Sequence, residues 1–310
     1  MKSPLHFLWQ IPGLTLSLFI CFVIAGVLSG LTEAPSIAGS AGESSQTEAM
    51  AGAAQTAVML LLSCFITSVI LGIWLRFSQW RGWKLILTVF SVYFIANTVL
   101  TQVESLFFNS ALQLSSSMLW KIVLSGFIIS LLFAPISVGI MGRLRSSDRA
   151  DLSMGAHMNL LKPLCWIAAS YVLIYFLFGY FIAWQSEAVR EYYSGSTAIL
   201  PFHLHMWDVL ISNPGLILFQ FIRGLVWGGL AVLIGRSMLA SWGTKAIMTG
   251  LIFGVMLAGG LLIPNPFMPE SVRWAHLWET SSSNFVLGIV CIYILEGPAW
   301  SKKPILAQTD

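Results

Sequence analysis

The sequence predicts an all-α membrane protein: a bundle of about eight transmembrane helices, N-in and C-in, with a short interfacial helix before the last crossing. Three observations carry this. Of the 310 residues, 57% are hydrophobic and 9% charged, whereas a soluble domain carries about 25% charged residues. Mean hydropathy is +0.81. The apolar residues gather into eight runs, most of them near the roughly 20 residues that a spanning helix needs.

The first run, residues 11–31, follows Lys2 and is long for a signal sequence, so it is read as an uncleaved first helix. Residues 32–55 are rich in Ala, Gly and Ser, carry Glu33, Glu43 and Glu48 and hold no Lys or Arg, a composition suited to a flexible extracytoplasmic loop. The next runs are 56–75, 85–107, 120–141 and 163–184. An outer loop at 185–213 leads to runs at 215–234 and 246–263. A second outer loop at 264–283 precedes the last run, 281–300. The chain forms a single transmembrane domain.

Charge orients the bundle. With the N-terminus inside and eight crossings, the inner side receives Lys2, Arg76, Arg81, Lys84, Arg143, Arg145, Arg149, Lys162, Arg236, Lys245, Lys302 and Lys303. That is twelve of the sixteen Lys and Arg residues, as the positive-inside rule requires. A re-entrant last run would export Lys302 and Lys303, so a full crossing is preferred. The four cysteines, Cys21, Cys64, Cys165 and Cys291, sit in apolar runs and read as small buried hydrophobes. There is no basic run for nucleic acid, no cofactor motif and no soluble energy-coupling domain. The partner that composition implies is the lipid bilayer.

Arg223 is the sharpest single residue. It lies about 13 Å below the outer surface at 1.5 Å per residue, where a charge costs about 2.5 kcal/mol or more. It needs a partner facing the bundle interior. Gln220 shares its helical face. Glu104 is the best candidate partner, at the end of a polar stripe with Asn97 and Thr101; Glu270 and Glu279 compete. Two readings stand: an ion pair that fixes packing, or an anion-binding arginine at the floor of an outward cavity.

The stretch 264–284 is the second concentration of chemistry. Pro264 and Pro266 end the seventh run. Pro269 is placed to start a short helix with Glu270 in its first turn. Trp274 and Trp278 share one face and suit the headgroup region. Glu270, Arg273, His276 and Glu279 follow at intervals of three, so neighbours touch, but together they turn through about half the helix circumference. Ser281, Ser282, Ser283 and Asn284 are expected to cap the last helix. His276 with Glu279 forms a candidate catalytic pair, with His276 as general base. It also resembles a metal half-site that His203, His205 and Asp208 would complete, although no complete metal motif is present.

Small residues and a short echo complete the pattern. Gly224 with Gly228, and Gly250 with Gly254, have the spacing that lets membrane helices approach closely. Glu187-Ala-Val-Arg190 after run five matches Glu270-Ser-Val-Arg273 after run seven, which suggests duplicated hairpins. The segments LLIPNPFMPESVRWAHLWETSSSNF and YFIAWQSEAVREYYSG resemble those of polytopic membrane proteins from uncharacterised bacterial families. The resemblance covers about the last half of the chain. It implies a bacterial cytoplasmic membrane and no activity.

Three functions remain in view. The first is binding or movement of a small anionic molecule or lipid headgroup, received by Arg223, Arg190 and Arg273 with Gln220, Glu104, Glu270 and Asn284. The second is a membrane-embedded enzyme using His276 and Glu279. The third is a non-catalytic assembly subunit whose outer loops meet a membrane partner.

Overall fold

The apolar runs fold into helices, and the computed structural model describes residues 4–31, 43–112, 114–145, 159–265 and 268–297. Eight helices are long and apolar enough to cross a membrane. They are α1 (Pro4–Ser29), α2 (Glu43–Phe77), α3 (Gly82–Phe107), α4 (Ser116–Ile140), α5 (Leu161–Phe181) and, after two short helices, three more. The short ones are α6 (Glu187–Ser194) and α7 (Phe202–Ser212). The last three are α8 (Gly215–Ser237), α9 (Trp242–Leu262) and α10 (Glu270–Glu296). Among the described residues no strand forms beyond an isolated bridge between Ser78 and Met238.

The eight long helices close a circuit. Helix α4 packs on α1, α1 on α2, α2 on α9, α9 on α10, α10 on α5, α5 on α8, α8 on α3, and α3 back on α4. Close approach at two of these contacts requires glycine. Gly224 of α8 faces the Ala168 backbone of α5, where a Cβ would stand 2.7 Å from Cα. Gly250 and Gly254 of α9 face the Ser281 and Phe285 backbone of α10, and Gly288 returns the approach from α10. Both expected glycine pairs therefore lie in helix contacts.

One end of the bundle is basic and tied together by backbone capping. Arg143 donates to the carbonyls of Ser78 and Arg76, 2.7 Å each, closing the C-terminus of α2 with a cation where the helix dipole favours one. Gln79 donates to the Arg236 carbonyl at 2.7 Å, and the buried Trp74 indole donates to Ser237 Oγ at 2.9 Å. Lys245 places Nζ 2.9 and 2.8 Å from the two Glu296 oxygens. That buried pair explains how α10 carries an acid through its last turn.

Four expectations change. Helix α2 starts at Glu43, so residues 43–55 of the expected loop are helical, consistent with an Ala-rich sequence of high helix propensity; residues 32–42 lie outside the described residues. The loop 185–213 contains α6 and α7. The interfacial helix and the last span are one continuous helix. No Pro interrupts residues 270–296, and the helix runs on through Gly288; the serines do not cap. Ser282 Oγ donates to the Trp278 carbonyl at 2.6 Å, which leaves the helix intact. Pro269 is the N-cap. Finally, Cys21, Cys64 and Cys291 are buried, but Cys165 is exposed.

Candidate functional site

The circuit of helices encloses a cavity of about 800 Å³. All eight long helices line it, from Phe22 on α1 and Thr67 on α2 to Asn284 on α10, and α6 and α7 close its far end through Val189, His205 and Met206. Two of its walls leave the α-helical repeat. Residues Ile95–Val99 of α3 and Leu251–Met256 of α9 form π-helical turns, and Ala96, Asn97, Thr98 and Met256 line the cavity. In α3 the polar stripe turns back on its own backbone: Asn97 Nδ2 donates to the Tyr93 carbonyl at 3.1 Å, and Thr101 Oγ1 to the Asn97 carbonyl at 2.9 Å. Single π turns within α-helices cluster at functional sites. Gly126 of α4 makes room for this wall, since a Cβ there would collide with the Thr98 side chain.

Arg223 reaches the cavity from α8 and meets Glu104 from α3. Its Nη1 and Nη2 donate to the two carboxylate oxygens at 2.9 and 2.8 Å, the bidentate geometry that makes such pairs strong. Nη1 also donates to Gln220 Oε1 at 2.8 Å. The Tyr171 and Phe219 rings lie 5.7 and 5.6 Å from the guanidinium carbon. Arg223 is 6% exposed, yet its Nε has no acceptor, and neither does Gln220 Nε2. Among the charged residues considered from sequence, Glu104 is thus the one that meets Arg223.

A second polar group comes from α10 and α6. His276 Nε2 lies 3.1 Å from the Tyr193 hydroxyl, and its Nδ1 is 3.6 Å from Glu279 Oε2. Burial, and then the Glu104 carboxylate, push the Tyr193 hydroxyl well above its ordinary pKa. Tyr193 therefore keeps its proton, and in the tautomer of His276 that carries Nδ1–H towards Glu279 it donates that proton to Nε2. Glu279 accepts from the hydroxyls of Thr280 at 3.1 Å and Ser283 at 3.4 Å. His276, Glu279 and Tyr193 all line the cavity, as do Glu104, Arg223 and Asn284.

Arg190 and Arg273 do not line it. Both are buried, and both staple the end of the preceding span. Arg190 Nη1 donates to the carbonyls of Trp184 and Gln185 at 2.7 and 3.0 Å. Arg273 Nη1 donates to those of Leu261 and Leu262 at the same two distances. In each case the acceptors include carbonyls of a 3₁₀ turn, Ala183–Gln185 or Gly259–Leu262. Val189 and Val272, both 1% exposed, meet in one small cluster beside Ala183. The echo in sequence is therefore an echo in structure: the Val is packed inward and the Arg caps a carbonyl pair. Arg190→Ala and Arg273→Ala are each expected to destabilise the protein by about 2 kcal/mol, the scale of charged hydrogen bonds lost from buried acceptors. Lysine, a point charge without the planar fork, should rescue neither, as thermal melts in detergent would register.

The remaining candidates scatter. Glu270 is solvent-facing, 3.6 Å from Arg273 Nη2, with 69% of its side chain exposed. It also accepts from the Trp274 indole at 3.1 Å. His205 lies against Trp184, 4.9 Å between ring centroids, and burial lowers its pKa against the opposing pull of Asp208. His203 is exposed and does not line the cavity. Among the described residues no three His, Cys, Asp or Glu side chains form a metal-holding group, so the half-site at His276 is not completed by His203, His205 and Asp208.

Sequence reasoning missed Tyr171 and Tyr175, which line the cavity from α5. Their four-residue spacing inside an apolar run was the available signal. Comparison of the chain with protein-family models, curated proteins and solved structures finds no match.

Proposed function

We propose that this multi-pass membrane protein binds a small amphiphilic molecule, with the character of a lipid headgroup, in the central cavity. Under the positive-inside rule the basic end is cytoplasmic, both termini are cytoplasmic, and the cavity opens to the extracytoplasmic side of a bacterial inner membrane. The observation that carries this reading is the cavity itself. Its volume of about 800 Å³ falls within the roughly 300–1,000 Å³ of small-molecule sites. A few convergent polar groups stand in it among aromatic and aliphatic walls. The ligand is not simply anionic, because Glu104 already occupies both terminal nitrogens of Arg223, and Arg190 and Arg273 are held by backbone carbonyls.

The test is native mass spectrometry of the full chain released from mild detergent. A bound species of lipid mass is expected on the wild type. Thr101→Trp, which narrows the cavity, should reduce its occupancy about tenfold, as loss of roughly 1.4 kcal/mol of binding does. Equal occupancy of wild type and variant would contradict the proposal.

The Tyr193–His276–Glu279 chain supports a second reading, an enzyme in which His276 acts as general base through Tyr193, whose hydroxyl passes its proton to Nε2 as it takes one from water at the bound molecule, while Glu279 orients the ring. Time-dependent conversion of the bound species, abolished in His276→Ala, would distinguish an enzyme from a binding protein or carrier.

A further inference from the structure

We infer that the molecule bound in the cavity is zwitterionic, with an ammonium group facing Glu279 and, a few bonds away, acceptor oxygens facing Arg223. The inference rests on the proposed binding role of the cavity and specifies its ligand.

With both imidazoles neutral, the charges around the cavity do not balance among the described residues. Among the described residues lining it, Glu104, Glu279 and Arg223 are the carboxyl and guanidinium groups, with His205 and His276 as the imidazoles. Arg223 and Glu104 cancel in a bidentate pair. Glu279 has no such counterpart. Its side chain is 13% exposed, and its direct hydrogen bonds come from the neutral hydroxyls of Thr280 and Ser283. The nearest nitrogen of His276 stands 3.6 Å away, beyond ordinary hydrogen-bond length. A carboxylate this enclosed is stabilised by a cation, and a ligand ammonium supplies one. Tyrosine and tryptophan rings line the cavity, among them Tyr171, Tyr175 and Trp184, and such rings attract a cation.

A separate observation calls for acceptors. The Arg223 Nε–H is buried inside the cavity wall and has no partner, although buried donors are nearly always satisfied. Among the described residues no acceptor meets it. An oxygen of a phosphate or carboxylate does so once a small shift of the side chain opens Nε to the cavity, and Glu104 keeps the terminal nitrogens.

The source of this zwitterion is the bilayer. Helix α7 lines the cavity with His205, Met206 and Val209. Its other side leaves Leu204, Trp207, Leu210 and Ile211 exposed, Trp207 and Ile211 by 64% and 65%. One short helix thus separates the site from an apolar surface suited to acyl chains, with tryptophan at the depth of headgroups. An aminophospholipid meets all these requirements.

The experiment uses the delipidated full chain and three probes: dioleoylphosphatidylethanolamine, dioleoylphosphatidylglycerol, and soluble O-phosphoethanolamine. Binding is read by native mass spectrometry and by ligand-induced thermal shift. The ethanolamine lipid is expected to bind and the glycerol lipid, identical in chains and phosphate but without the ammonium, to bind about tenfold or more weakly. Glu279→Gln keeps the side-chain shape and should weaken the ethanolamine lipid about tenfold to a hundredfold, the range for a charged hydrogen bond, and should not weaken the glycerol lipid. Glu270→Gln, outside the cavity, should change neither. Phosphoethanolamine competing as strongly as the lipid would uphold the zwitterion and assign it a soluble source. Equal binding of the two lipids, or an unchanged Glu279→Gln, overturns the inference and leaves the cavity's binding role standing. Binding of no probe overturns both. Should Glu279→Gln fail to fold, the wild-type preference between the two lipids still decides.

Discussion

Arg223→Ala is expected to destabilise the protein by about 2–4 kcal/mol, because removing one partner of a buried ion pair strands the other. The figure sits at the lower part of the usual range because the Glu104 side chain is 35% exposed, and water or ions reach it. Glu104→Ala should cost a similar amount, since it leaves the guanidinium with only the Gln220 and Leu100 oxygens. Replacing both residues by methionine should recover most of the loss, as uncharged pairs of similar volume commonly do. Thermal unfolding of the three variants in one detergent checks this. A double variant as unstable as the sum of the singles would mean that the pair acts independently of its charge. The variant also separates two roles: methionines that restore stability while binding stays lost would show that the pair serves the ligand as well as the fold.

Gly254→Leu is expected to disrupt the α9–α10 contact outright. Even a Cβ at 254 would collide with the Ser281 carbonyl, and it would stand 2.8 Å from the Phe285 amide. At Gly288 a Cβ would lie 2.5 Å from the Gly250 amide. Backbone cannot yield as a flexible side chain does, so the cost should reach about 3 kcal/mol, the upper part of the overpacking range. Gly229→Ala is the control, because nothing lies within 4 Å of a Cβ there, and it should be neutral or slightly stabilising through helix propensity. The prediction also bears on function. Helix α10 carries His276, Glu279 and Asn284, so a shift of this interface moves one whole wall of the cavity. Lipid occupancy measured beside the melting temperature would show both losses together.

Much of the fold was legible because lipid imposes a simple rule: a spanning segment must be long, apolar and helical. The eight runs map onto the eight helices, with ends displaced by several residues. Arg223 was legible for the same reason, since depth alone demands a partner, and Glu104 followed from the polar stripe on the third run. The two glycine pairs were legible as spacing, though only the backbone contacts give them meaning. Other features could not be read. The roles of Arg190 and Arg273 depend on carbonyl acceptors, which every residue possesses and no side chain announces. The π turns in α3 and α9 leave no mark in composition. The serines at 281–283 have a capping composition, but their hydroxyls bond back along an unbroken helix, and that choice is made by the chain's packing. The cavity is the clearest case. It is a space left by eight helices, and no stretch of sequence encodes it locally.

The most direct test of the central claim is an experimental map of the full chain purified in nanodiscs of native lipid, at a resolution that shows side chains. The account predicts elongated non-protein density in the cavity, with a polar end between Arg223 Nε and Glu279 and an apolar tail passing beside α7. A cavity that is closed, or that holds only isolated waters while the Arg223–Glu104 pair remains intact, would contradict it.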